Sequence, residues 1–158
     1  MQKNLRKSLC YSLLCIGISL FFAGCTQNIS DLTSPQFAIS QPVYKSNEEN
    51  NHCQIGGVYF DFYNKAEVCV THLEIRMNVY DRGTGKNAFT GCGSIISQND
   101  LIIKSGEKRQ LCVSLDKYIT VVSRNGYFID QFYVSLIEYE DGRVWKDSFG
   151  LYATSSGE

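Results

Sequence analysis

From Phe37 onward the chain alternates apolar and polar residues with a period of two, the signature of strands with one buried face rather than of helices. Phe37, Ile39 and Val43 alternate with polar or small neighbours and predict a first strand. Val58, Phe60 and Phe62 point one way, and Tyr59, Asp61 and Tyr63 the other. After the turn Asn64-Lys65-Ala66-Glu67, Leu73, Ile75, Met77 and Val79 alternate with His72, Glu74, Arg76, Asn78 and Tyr80, the cleanest pattern in the chain. Gly83, Gly85, Gly91 and Gly93 punctuate a long connection to a strand over 94–103. Ser105-Gly106-Glu107 then turns into a strand over 109–115, with Leu111, Val113 and Leu115 facing in and Gln110, Cys112 and Ser114 facing out. The stretch 117–125 reads as a loop or helical turn as readily as a strand. A long strand over 128–139 places Phe132, Val134 and Leu136 on one face. Asp141-Gly142 signals a tight hairpin, because glycine tolerates positive φ, and leads to a partner strand over 143–152 carrying Trp145, Phe149 and Leu151. About seven short strands with turn signals between them predict an all-β fold, an antiparallel two-sheet sandwich.

The order resembles the immunoglobulin-like and fibronectin-III-like domains of bacterial surface lipoproteins. It is most similar to the small FxLYD-type family, on Phe60-Asp61-Phe62-Tyr63-Asn64, Asn78-Val79-Tyr80-Asp81 and the later Ser105-Gly106-Glu107. The likeness spans 37–152 and implies an immunoglobulin-like sandwich. It carries no functional residues over, since that family shares no active site.

The first 24 residues belong to a different pattern. Lys3, Arg6 and Lys7 precede an apolar run from Leu9 to Phe22, followed by Ala23-Gly24-Cys25: the three parts of a secretory signal peptide. The run is shorter than the ~20 apolar residues that cross a bilayer and is interrupted by Tyr11, Ser12, Gly17 and Ser19. Phe22-Ala23-Gly24-Cys25 resembles a bacterial lipobox, with Phe22 where leucine is usual. The resemblance implies cleavage after residue 24, acylation of Cys25 and a lipid-anchored protein of the bacterial cell membrane or outer membrane, its domain in the periplasm or at the cell surface. Three segments follow: a signal peptide over 1–24, a lipidated N-terminus and flexible linker over 25–36, and a sandwich over 37–153, with a frayed end from Thr154.

Charge narrows the partners. The whole chain carries a formal charge of −1, and loss of Lys3, Arg6 and Lys7 with the leader makes it more acidic. Nucleic acid, which demands clustered Lys and Arg, is excluded as a partner, and so is a polybasic attachment to anionic lipid. The lipid bilayer is then engaged through acyl chains on Cys25, stably where there are two or more.

Cys53, Cys69, Cys92 and Cys112 remain after the leader and Cys25 are set aside, an even number in an exported chain. Three pairings are possible; strand direction favours Cys53–Cys92 and Cys69–Cys112, with buried thiols as the alternative. A second alternative is a metal or small-ligand site on His52, Cys53, Cys69 and His72, whose residue types suit zinc but whose spacing is irregular and lacks a C-x-x-C pair.

No enzymatic motif survives inspection. Gly83-Thr84-Gly85-Lys86 lacks the remaining residues of a phosphate loop, there is no nucleophile elbow, and Glu138, Glu140, Asp141 and Asp147 form no alternating calcium loop. Tyr59, Tyr63, Arg76 and Tyr80 fall on outward positions, and tyrosine with arginine is the composition of protein interfaces. The expectation is a non-catalytic envelope module without a cofactor, one that binds an envelope protein or serves a structural role.

Overall fold

The period of two becomes eight strands: β1 (Phe37–Ile39), β2 (Val43–Ser46), β3 (Gly56–Asn64), β4 (Val70–Asp81), β5 (Ile95–Ile103), β6 (Lys108–Ser114), β7 (Tyr127–Tyr139) and β8 (Val144–Lys146). The structure is a computed structural model that describes residues 34–157 except 48, 50–52, 90–92 and 121. The signal segment 1–24, Cys25, the linker through 33, His52 and Cys92 lie outside the described residues. Among the described residues no helix is long and apolar enough to cross a membrane.

The strands form two antiparallel sheets of four. In one, β1 and β2 share one edge of β3 and β6 takes the other. The second runs β5-β4-β7-β8. This is the expected two-sheet sandwich with an immunoglobulin-like strand order. The expected first strand is two: it breaks before Val43 at Pro42, which has no N–H to give a ladder.

Val58, Phe60 and Phe62 from the first sheet meet Leu73, Ile75, Met77 and Val79 from the second in one core. Phe60 packs edge-on against Phe132 at a centroid distance of 4.9 Å, and Phe37 packs on Trp145 at the same distance. Such edge-to-face pairs add modestly to the area they bury.

The segment after β3 is a corner, not a hairpin. Asn64 is fully buried, and its side-chain amide donates to the carbonyls of Val68 (2.9 Å), Ile103 (3.0 Å) and Lys104 (3.2 Å) while its oxygen accepts from the Ala66 N–H. One side chain thereby ties the crossing between sheets to the β5–β6 turn.

In β7 the alternation is broken twice. Glu74 pairs with Leu136 but Ile75 with Val134, so Ser135 is an extra residue; Arg76 pairs with Tyr133 but Asn78 with Asp130, with Gln131 bulged at φ 48°. Each bulge reverses the facing of the residues beyond it. Leu136, expected inward with Phe132 and Val134, is therefore only half-buried, and Ile137 takes the core position.

The last strand is shorter than its pattern. β8 stops at Lys146 because buried Asp147 folds the chain over itself, accepting the N–H groups of Phe149 and Tyr152 at 3.1 Å each. The terminus, expected to fray, is pinned along β7. Phe132 and Thr154 exchange two backbone bonds of 2.8 Å, and Ser156 N–H donates to Ile129 O at 2.8 Å.

Candidate functional site

The four residues expected to form one Tyr/Arg patch do not lie together. β3 and β4 belong to opposite sheets, so Tyr59 and Tyr63 face outward from one side of the sandwich and Arg76 and Tyr80 from the other. The pattern reads the phase of each strand correctly; it does not reveal that the corner at Asn64 crosses between sheets. Tyr63 is exposed, whereas Tyr59 is 9% exposed, covered by the segment carrying Cys53 and by Lys45, whose ammonium lies 5.0 Å from its ring centre.

Arg76 is the centre of a different surface. Across the second sheet it pairs with Ile96 on β5 and Tyr133 on β7. Beside Tyr133 the chain turns at Gly150, where φ is +69° and a Cβ would come within 3.1 Å of the tyrosine ring. Next to that turn Phe149 stands 88% exposed and lines a hollow of about 210 Å³ with Arg76, Gln131 and Tyr133. Ile96 is 43% exposed at the other end of the row.

Beneath the row is an ionised network. Glu74 accepts from Ser135 Oγ (2.5 Å), Gln98 Nε2 (3.1 Å) and Arg76 Nε and Nη2 (3.3 Å each). Desolvation pushes its carboxyl up, but those bonds outweigh it and hold the group below its ordinary value. The extra residue at Ser135 brings that hydroxyl to Glu74, and Arg76, held from one side, keeps its outer face toward solvent. Gln131 and Tyr133 fall on the outward phase of the expected strand, but alternation alone does not place β7 beside Arg76, and Phe149 reads as a core residue of a longer final strand.

The other expected sites separate. His72 Nδ1 is 2.6 Å from the exposed Asp100 on the outer face of the second sheet. Cys69 lies by the β7–β8 end, where its N–H donates to Glu140 Oε1 at 3.1 Å and the same carboxylate pushes its thiol up. Among the described residues no group of three or more His, Cys, Asp or Glu could hold a metal ion, so the ligand set of Cys53, Cys69 and His72 is not assembled. The Cys69–Cys112 bond is not formed either. β6 pairs with β3, which turns Cys112 outward beside Tyr59 and toward Cys53. The Cys53–Cys92 pairing involves a residue outside the described ones.

A larger cleft, about 670 Å³, opens between β2 and the segment before β7, lined by Tyr44, Glu49, Arg82, Arg124 and Tyr127. Arg82 is engaged there by the carbonyls of Tyr127 and Gly157, and Tyr44 by that of Ile55.

No described protein family matches the chain, and no curated protein matches it. Among solved structures it is similar to a hypothetical protein of Peptoclostridium difficile 630, at a TM-score of 0.52 and 13% identity over 73% of this chain and 88% of that one. That likeness is one of fold.

Proposed function

We propose that the chain is an exported lipoprotein, held at the bacterial envelope by acyl chains on Cys25, whose sandwich is a non-catalytic module binding an envelope protein through the outer face of the β5-β4-β7-β8 sheet. The observation that carries the binding surface is the row Ile96–Arg76–Tyr133, flanked by Phe149 at 88% exposure. A large aromatic left in water beside an arginine already oriented by a carboxylate matches the composition of interface hot spots. The anchor rests on the leader and on Ala23-Gly24-Cys25.

Two measurements test the two halves. A photo-crosslinking residue at position 149 in intact cells should capture one dominant partner, lost on Arg76→Ala, while the same residue at position 63 should capture none. Equal capture at both positions, or capture insensitive to Arg76→Ala, rejects the surface. Feeding cells an alkyne fatty acid should label the wild-type chain and leave Cys25→Ser unlabelled; labelling of the serine variant rejects the anchor.

A further inference from the structure

Two sulfurs converge over a single glycine. A Cβ built on Gly57 would lie 2.6 Å from Sγ of Cys112 and 3.1 Å from Sγ of Cys53, so only the absence of a side chain there leaves room for both. Their elements bring them to this point for independent reasons. Cys112 is carried by the edge strand β6 opposite Tyr59, on the outward face of the sheet. Cys53 precedes β3 in a segment held against the end of β6 by Asp116, whose carboxylate accepts the N–H groups of Gln54 and Ile55 at 2.8 Å each. The Tyr59 ring underlies the pair. Its buried hydroxyl has no oxygen or nitrogen partner and faces the two thiols instead.

We propose that Cys53 and Cys112 are a disulfide site, the bond stapling the segment before β3 to the edge strand β6. Such a bond needs sulfurs whose side chains already point at each other, and here both point at the vacancy over Gly57. The oxidant is a second disulfide, from a thiol–disulfide exchange protein or a small disulfide. Cys112, on the exposed edge strand, loses its proton and attacks one sulfur of the donor, releasing the other as a thiolate. Cys53 then loses its proton and attacks Cys112 Sγ, releasing the second donor thiolate. The two protein protons end on the two donor thiols, and the two electrons reduce the donor. Although Cys112 as a residue is exposed, desolvation of its sulfur and the neighbouring Cys53 push the thiol up to about 11, so the thiolate fraction at neutral pH is small. That suits a structural bond rather than a catalytic cysteine. The export reading says only where the chain would meet an oxidant, and oxidation of the purified chain by glutathione does not depend on it.

The four cysteines fall on separate tryptic peptides: Cys53 in 46–65, Cys69 in 66–76, Cys92 in 87–104 and Cys112 in 110–117. The full chain is treated with oxidised glutathione, its remaining thiols are alkylated, and it is digested without reduction and mapped by mass spectrometry. The expected result is peptide 46–65 joined to 110–117 and lost on reduction, with Cys69 alkylated. Linkage of Cys53 to Cys92, linkage of Cys69 to Cys112, or full alkylation of Cys53 and Cys112 after prolonged oxidation overturns the proposal. Gly57→Ala, whose Cβ would occupy the meeting point of the sulfurs, should lower the yield of the cross-linked peptide at least several-fold; an unchanged yield also counts against the site.

Discussion

At the scale of single residues, the buried polar groups carry the sharpest consequences, because a buried donor or acceptor left alone costs about 1–3 kcal/mol. Asn64 is the clearest case. Its amide serves three carbonyls and its oxygen one N–H, and no water is needed to complete the set. Asn64→Ala should cost about 2–4 kcal/mol, read as a lower urea midpoint with unchanged slope. Asn64→Asp should cost more at neutral pH, since it keeps the acceptor for Ala66 and turns lone pairs toward carbonyl oxygens. If the aspartate variant is the more stable of the two, the donated bonds are not what holds the corner. Trp145 offers a contrast: its indole N–H is buried without a partner, a local cost offset by the packing of its ring on Phe37.

At the scale of elements, legibility depended on whether a strand kept its phase. β4 alternates from Leu73 to Val79 without interruption, and its buried and outward positions were read correctly. β7 has the same length of apolar material but two extra residues, and each slip of one exchanges the faces beyond it. That is why Leu136 is expected inward; Tyr133 and Ser135 do fall on the outward phase, and what the alternation leaves out is that β7 lies beside β4, which sets them next to Arg76 and Glu74. Sheet assignment was invisible for a further reason: a hairpin and a crossing corner both read as a polar turn, and only the buried bonds of Asn64 distinguish them. The expected Cys69–Cys112 pairing failed with it, since Cys112 answers to the partner of β6 rather than to strand direction. The bulge at Gln131 yields a prediction of its own. A non-glycine residue at φ 48° is in the left-handed region, where a side chain costs energy that glycine does not. Gln131→Gly should raise the unfolding free energy by about 0.5–1 kcal/mol, and Gln131→Val should lower it by about 1 kcal/mol or more. A glycine variant less stable than wild type in the same urea series would mean that the Gln131 side chain, not the backbone, holds the bulge.

At the scale of the molecule, the titrating groups divide into two sets with opposite shifts, and together they define the pH window of the fold. Hydrogen bonds from backbone N–H groups, hydroxyls and arginines hold Asp81, Glu107, Asp116 and Asp141 below their ordinary values, and Glu74 likewise despite its desolvation. A carboxyl that titrates lower when folded adds stability that is complete above its unfolded pKa and is lost as pH falls through the folded one. Unfolding free energy should therefore decline on acidification below roughly pH 4.5. Burial pushes Tyr44, Tyr59, Tyr127 and Tyr139 up, and with them the Cys112 thiol. Here the neutral form is the folded one, so the unfolded chain releases its protons first and stability falls as pH rises past roughly 8.5 for the thiol and 10 for the phenols. The alkaline limb also reports the redox state of the Cys53–Cys112 site, because a disulfide has no proton to lose. In parallel urea titrations the oxidised protein should be more stable by about 4 kcal/mol at pH 7, the chain-entropy value for a closed loop of roughly 60 residues. Above roughly pH 8.5 it should weaken less steeply than the reduced protein, which loses the contributions of both the Cys112 and the Cys69 thiols where the oxidised form loses only that of Cys69. Coincident alkaline limbs for the two forms would show that the Cys112 thiol keeps its ordinary acidity in the fold, and with it that the sulfur is not buried over Gly57.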